Sequence, residues 1–106
     1  MTRRAETAVA VNEVHLVGRL SGRPQVLELP SGDVVVVFRV VVARSGPGVD
    51  SVDCSVWAAG LQRRLLAMPA DCVVDVQGCL RRRFWRSASG PASRTEVRVS
   101  ALRRHR

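Results

Sequence analysis

The sequence predicts an all-β, β-dominated domain: a small barrel of five strands with one short helix between the third and fourth. Three observations carry this expectation. The apolar fraction is 46% and is led by valine, with two tryptophans, two phenylalanines and no tyrosine, a β-branched composition that suits strands better than a helical bundle. Segments in which apolar and polar residues alternate with a period of two recur along the chain, whereas one stretch alone has helical spacing. The length, 106 residues without a compositional break, fits one domain with one core.

Residues 1–11 are polar and alanine-rich without clear periodicity and read as a mobile arm, to which Arg3 and Arg4 add loose charge. The domain itself is expected over residues 12–102. From Asn12 to Leu20, Val14, Leu16, Gly18 and Leu20 fall on one side of a strand and His15, Val17 and Arg19 on the other. Ser21-Gly22-Arg23-Pro24 bends the chain, and a short strand from Gln25 to Leu29 leads into Pro30-Ser31-Gly32-Asp33, a hairpin turn. Val34 to Ala43 is the central strand, nearly all β-branched, with Phe38 toward the core and Arg39 on the opposite face. Arg44 to Ser51, containing Gly46-Pro47-Gly48, is expected to be a flexible hairpin loop.

The next strand alternates Val52, Cys54, Val56 and Ala58 with Asp53, Ser55 and Trp57. Gly60 to Met68 has helical spacing at Leu61, Leu65 and Met68, turns Arg63 and Arg64 outward, and stops at Pro69. From Cys72 onward, Val74, Val76, Gly78, Leu80 and Phe84 share the apolar side with Cys72, while Asp75, Gln77, Cys79, Arg81, Arg83 and Trp85 form the other. Ser87 to Ser93 reads as a further loop. In the fifth strand Thr95, Val97, Val99 and Ala101 oppose Glu96, Arg98 and Ser100, and Arg103-Arg104-His105-Arg106 is a basic end. The order β-β-β-α-β-β is that of the five-stranded OB-fold Greek-key barrel, which grips single strands in a cleft across its face.

Both tryptophans fall on the polar side of an alternating strand, where a packing residue would be out of place. Trp85 has Arg81, Arg83 and Arg86 close by in sequence. An indole offers a π-face on which any base can stack, and a neighbouring guanidinium can clamp phosphate or stack on the next base, so neither contact reads sequence. Trp57 and Trp85 are the expected stacking residues, and Arg19, Arg39 and Arg98, on the polar sides of their own strands, are candidates to join them. A covering role over a barrel end or a subunit contact is the alternative for either tryptophan.

The formal charge is +8, and all seventeen basic residues are arginine. A positive surface of that strength favours a polyanionic partner, most commonly nucleic acid; an anionic membrane would call for an amphipathic basic helix, which the sequence lacks. No apolar run has the length of a membrane span and the first residues lack a signal-peptide core, so the expected location is cytoplasmic. Cys54, Cys72 and Cys79 have the spacing of neither a zinc clip nor a redox pair and are read as reduced thiols, with Cys54 and Cys72 as core fillers and Cys79 more accessible. No metal or cofactor is expected.

The chain resembles the bacterial single-stranded DNA-binding proteins from about Asn12 to Leu102. The resemblance rests on Asn-Glu-Val-His-Leu-Val-Gly-Arg-Leu at 12–20 with Arg23-Pro24, the Pro-Ser-Gly turn at 30–32, Cys-Ser-Val-Trp at 54–57, Gln-Gly-Cys-Leu-Arg-Arg-Arg-Phe-Trp from Gln77, and Thr-Glu-Val at 95–97. It implies a homo-oligomer, a tetramer or a dimer of OB domains, that wraps single-stranded DNA. It also implies stacking at Trp57 and Trp85, phosphate contacts near Arg81, Arg83 and Arg86, and edge-to-edge pairing through the first strand, with Val14, Leu16 and Val17 as oligomerisation residues. Two departures stand out. The family's Gly/Pro-rich tail with its acidic tip has no counterpart before the basic end, so a tail-less paralogue with few partners through that route is expected. The Gly46–Ser51 hairpin lacks aromatics, including at Ser51, where a family member often stacks; at about 1–3 kcal/mol per base stack, weaker binding or a smaller footprint follows.

Catalysis would need a constellation that the sequence does not supply. Asp53, Asp71, Asp75 and Glu96 are scattered and read as solvated strand carboxylates rather than a Mg²⁺ site, and His15 and His105 are too isolated to activate Cys79. The rivals to DNA binding are an OB-fold adaptor of the primosomal type, using Trp and Arg on an acidic protein surface, and an RNA-binding OB domain.

Overall fold

A computed structural model describes residues 9–105, so most of the arm expected over residues 1–11 lies outside the described residues, as does Arg106. Five strands and one helix follow one another: β1 (Val14–Glu28), β2 (Val34–Ala43), β3 (Val49–Val56), α1 (Ala59–Leu66), β4 (Val73–Ser87) and β5 (Gly90–Arg104). The strands close into a barrel in the order β1-β2-β3-β5-β4, with β4 returning to β1. Every pairing is antiparallel except the short β3–β5 contact. This is the OB-fold expected from the element order.

Alternation along the strands decides what fills the barrel. Leu20, Val36, Phe38, Val40, Cys54, Val56, Val74, Val76, Val97, Val99 and Leu102 form one buried cluster, which Leu65 of α1 joins from one end. Gln62 fixes that helix to the sheet by donating its side-chain amide to the carbonyls of Val34 (3.0 Å) and Val56 (2.9 Å). Val14 and Leu16 pack against the cluster from the near end of β1.

Several boundaries differ from the sequence reading, each for a local reason. The bend at Ser21–Pro24 does not separate two strands: β1 runs through it as one bulged strand, with pairing to β2 slipping between Ser21 and Gln25 and Gly22 at φ 69° absorbing the kink. The loop expected over Arg44–Ser51 is shorter, because β3 resumes at Val49 opposite Ala43. The loop expected over Ser87–Ser93 is a two-residue turn at Ala88-Ser89, since Ser87 already pairs with Gly90. A second slip, between Gln77 and Gly78, shifts the phase of β5: Leu102 is buried and Ala101 is exposed, the reverse of strict alternation. Gly78 permits that crossing, because a Cβ there would run into the carbonyl oxygen of Arg98.

The largest difference concerns the far half of β4 and β5. Backbone pairing of β1 with β4 stops at Gly78, extended to Leu80 only by the Asn12 side chain, which both donates to and accepts from the Leu80 peptide at 2.8 Å. Pairing of β3 with β5 spans only Cys54–Val97 and Ser55–Arg98. Beyond these points β4 and β5 pair only with each other, a two-stranded ribbon whose base still covers Glu96 and whose outer part, around Phe84, Trp85 and Arg86, is exposed on both faces. Leu80 and Phe84, assigned to the apolar side, are therefore exposed, Phe84 to 72%. The ribbon stretches the molecule to 51 × 36 × 30 Å with a radius of gyration of 15.9 Å. A compact chain of this length would have about 13 Å.

Candidate nucleic-acid interface

Antiparallel partners share a face, so the register fixes which side chains are neighbours. On the outer face of the barrel, Ser21 of β1 lies beside Arg39 of β2 and Asp53 of β3. One row on, Ser55 of β3 lies beside Arg98 of β5, which lies beside Cys79 of β4. From there the same face continues up the ribbon through Arg81 with Glu96, Arg83 with Arg94, and Trp85 with Ala92. Three rows of about 6.7 Å carry it roughly 20 Å from Arg98 to Trp85.

Trp57 sits where β3 leaves the sheet for α1. Its indole Nε1 donates to the Ser55 hydroxyl at 3.2 Å, and the Arg98 guanidinium lies over the ring with Cζ 4.8 Å from the centroid. The ring is half-buried and outside the core, while the Ser55 beneath it is fully covered. Trp85, at the other end of the path, is 43% exposed, with the Arg83 guanidinium 5.8 Å from its centroid. Both tryptophans thus occupy the outward face that alternation assigned them, each against an arginine. A cleft of about 300 Å³ opens alongside, lined by Ser21, Arg23, Val37, Arg39, Asp53 and Arg94 among others.

The charged residues divide into those with a carboxylate partner and those without. Arg39 binds Asp53 at 2.9 Å, Arg19 binds Asp71 at 3.0 Å, and Arg83 binds Glu96 at 3.3 Å. Glu96 is only 5% exposed, so it is not the solvated carboxylate expected; Asp75 is also buried, beneath His15 (2.8 Å) and Arg103 (3.6 Å). Arg81, Arg86 and Arg98 make no salt bridge to any described residue. Arg86 does not join the Trp85 face: it stands opposite Pro91, on the side of the ribbon shared with Phe84.

Arg23, Arg94, Arg82 and Phe84 are the residues that sequence reasoning missed. Reading Ser87–Ser93 as a loop concealed that Arg94 stands opposite Arg83, and reading Phe84 as packed concealed an exposed aromatic. The signal was available in Arg81, Arg82 and Arg83: three consecutive cations in a strand put charge on both faces, which a strand with one buried face does not tolerate.

Of the first-strand residues, Val14 and Leu16 face inward and Val17 is exposed. Cys54 is buried, Cys72 and Cys79 are half-buried, and all three are free thiols. Burial, followed by the nearby Asp53 and Glu96 carboxylates, pushes the Cys54 thiol up to about 12. Among the described residues no three His, Cys, Asp or Glu side chains come together in a way that would hold a metal ion, and no helix is long and apolar enough to cross a membrane.

No protein-family model matches the chain. It is 29% identical over 100 residues to single-stranded DNA-binding protein 1 of Synechocystis sp., covering 89% of this chain and 83% of that protein. Among solved structures it is similar to the Plasmodium falciparum SSB in complex with ssDNA, with a TM-score of 0.72 at 24% identity over 89% of this chain and 94% of the other. The sequence and the fold thus resemble proteins of the single-stranded DNA-binding type.

Proposed function

We propose that this protein binds single-stranded DNA without reading its sequence, protecting it during replication, recombination or repair. The observation that carries the reading is the outward face joining Trp57 to Trp85 through Arg98, Arg81, Arg83 and Arg94. Unpaired bases stack on the two indoles, and the arginines between them take the phosphates. A duplex keeps its bases inside the stack and offers no π-face, so the same surface discriminates against it. The similarity to single-stranded DNA-binding protein 1 supports the same reading.

The chain acts as a binding protein and not as an enzyme, working in the cytoplasm on the nucleoid as a homo-oligomer. Copies pair through the first part of β1, Val14 to Val17, where Val17 is exposed and β2, which pairs with β1 only from Arg19 onward, leaves one strand edge uncovered. Arg19, Arg39 and Arg83 reach the DNA only by exchanging their carboxylate partners for phosphate.

Because Trp57 and Trp85 are the only tryptophans, intrinsic emission reports on both stacking positions at once. Titration with oligo(dT) should quench it strongly, and duplex DNA of the same length should leave it nearly unchanged. Unchanged emission with the single strand would instead favour a protein-binding adaptor, and equal or stronger quenching by oligo(U) would move the assignment to RNA.

A further inference from the structure

The reverse face of the ribbon carries a second aromatic that the reading above does not use. Phe84 is 72% exposed, the Arg82 guanidinium lies 5.6 Å from its ring centroid, and Arg82 is itself held by a hydrogen bond of 3.1 Å to the Ser93 hydroxyl across the strand pair. Paired positions on this face are Arg82 with Thr95, Phe84 with Ser93, and Arg86 with Pro91. The face thus presents one exposed ring, two cations and two hydroxyls without a carboxylate. Trp85 and Phe84 are consecutive residues on opposite faces, joined around the ribbon edge by a shallow pocket lined by Phe84, Trp85, Arg86, Pro91 and Ala92.

We propose that Phe84, with Arg82 and Arg86, is a second base-stacking platform, and that a strand leaving Trp85 crosses the ribbon edge to stack on it. The inference rests on the single-strand binding proposed above and extends its path onto the reverse face. A second copy of the chain is the less suitable occupant: two like cations flank the ring, and copies meeting there would bring four guanidiniums together without a counter-charge. A polyanion with π-faces complements both features. Exposure of a phenylalanine to this extent has no packing explanation in the fold, because neither β1 nor β3 pairs with this part of the ribbon.

Two lengths of oligo(dT) test the idea, about 8 and about 24 nucleotides, chosen against the roughly 4–16 nucleotides that one OB fold occupies. Phe84→Ala should leave the short oligonucleotide bound as by wild type and weaken the long one roughly five- to hundredfold, whereas Trp85→Ala should weaken both. A reporter variant, Phe84→Trp in a Trp57→Phe, Trp85→Phe background, should be quenched by the long oligonucleotide and hardly by the short one. If wild type binds the long strand while Phe84→Ala matches it and the reporter stays bright, the second platform is overturned and the main face stands. If wild type itself fails to bind, the proposed function falls first. If Phe84→Ala lowers the oligomeric state in light scattering without DNA, the ring contacts another copy and the inference is overturned.

Discussion

Arg83 has two partners, the Glu96 carboxylate at 3.3 Å and the Trp85 ring, and its Nε is buried without a hydrogen-bond partner. Removing it leaves Glu96 enclosed without its cation, so Arg83→Ala should lower unfolding free energy by about 1–3 kcal/mol in urea melts. Adding Glu96→Gln should restore much of the loss; a double variant as unstable as the single one would mean that packing, not charge, is at stake. Binding data for Arg83→Ala therefore mix fold and contact, and Arg81, without a carboxylate partner, is the cleaner probe of phosphate contact. Trp57 poses the converse case. It covers Ser55 from outside the core, so Trp57→Ala should still melt cooperatively while binding to oligo(dT) weakens by about 1–3 kcal/mol. Loss of the cooperative melt would show that the ring is a structural lid.

At the level of elements, the ribbon separates recognition from stability. None of the buried cluster lies between Arg81 and Thr95, so excising residues 84–93 and joining Arg83 to Arg94 by an Asn-Gly turn should leave the melting temperature nearly unchanged. The same excision removes Trp85 and Phe84, and long-oligonucleotide affinity should fall further than with either single substitution; a large drop in melting temperature would show that the ribbon braces the barrel. The ribbon also marks the limit of what the sequence disclosed. Alternation placed the inward sets of β1, β2 and β3 and the outward Trp57 and Trp85, because a buried face constrains every second residue. It cannot say whether anything lies on a face. That depends on how far β1 and β3 reach along β4 and β5, a length set by turns elsewhere in the chain. The one-residue slip at Gln77–Gly78 was equally hidden, since the residues on either side of a bulge each alternate correctly and only the relative phase changes. Ion pairs such as Arg39–Asp53 join residues 14 apart and needed the register to become visible.

Taken as a whole, the molecule carries seventeen arginines and no lysine or tyrosine, and this shapes its response to both salt and pH. For salt, net charge overstates the contacts available, because Arg19, Arg39, Arg44, Arg83 and Arg103 already hold carboxylates. Plots of log affinity against log salt should flatten by about 0.7 for Arg81→Ala and for Arg98→Ala, and by clearly less for Arg39→Ala, whose loss also frees Asp53. Equal slopes for all three would mean that Asp53 does not hold Arg39 back from phosphate. For pH, the buried Cys54 thiol is the group whose ionisation differs between the folded and unfolded chain. Cys54 ionises near 9.0 when unfolded and only near about 12 when folded. Below pH 9 both states hold the proton and stability is unaffected. Above it the unfolded chain alone releases the proton, so stability falls as pH climbs from 9 toward 12, by as much as about 1.4 kcal/mol per pH unit. Urea midpoints at pH 8, 10 and 11 should trace that decline in wild type, and Cys54→Val, which fills similar space without a thiol, should remove most of it; an undiminished slope in that variant would assign the alkaline sensitivity to another group.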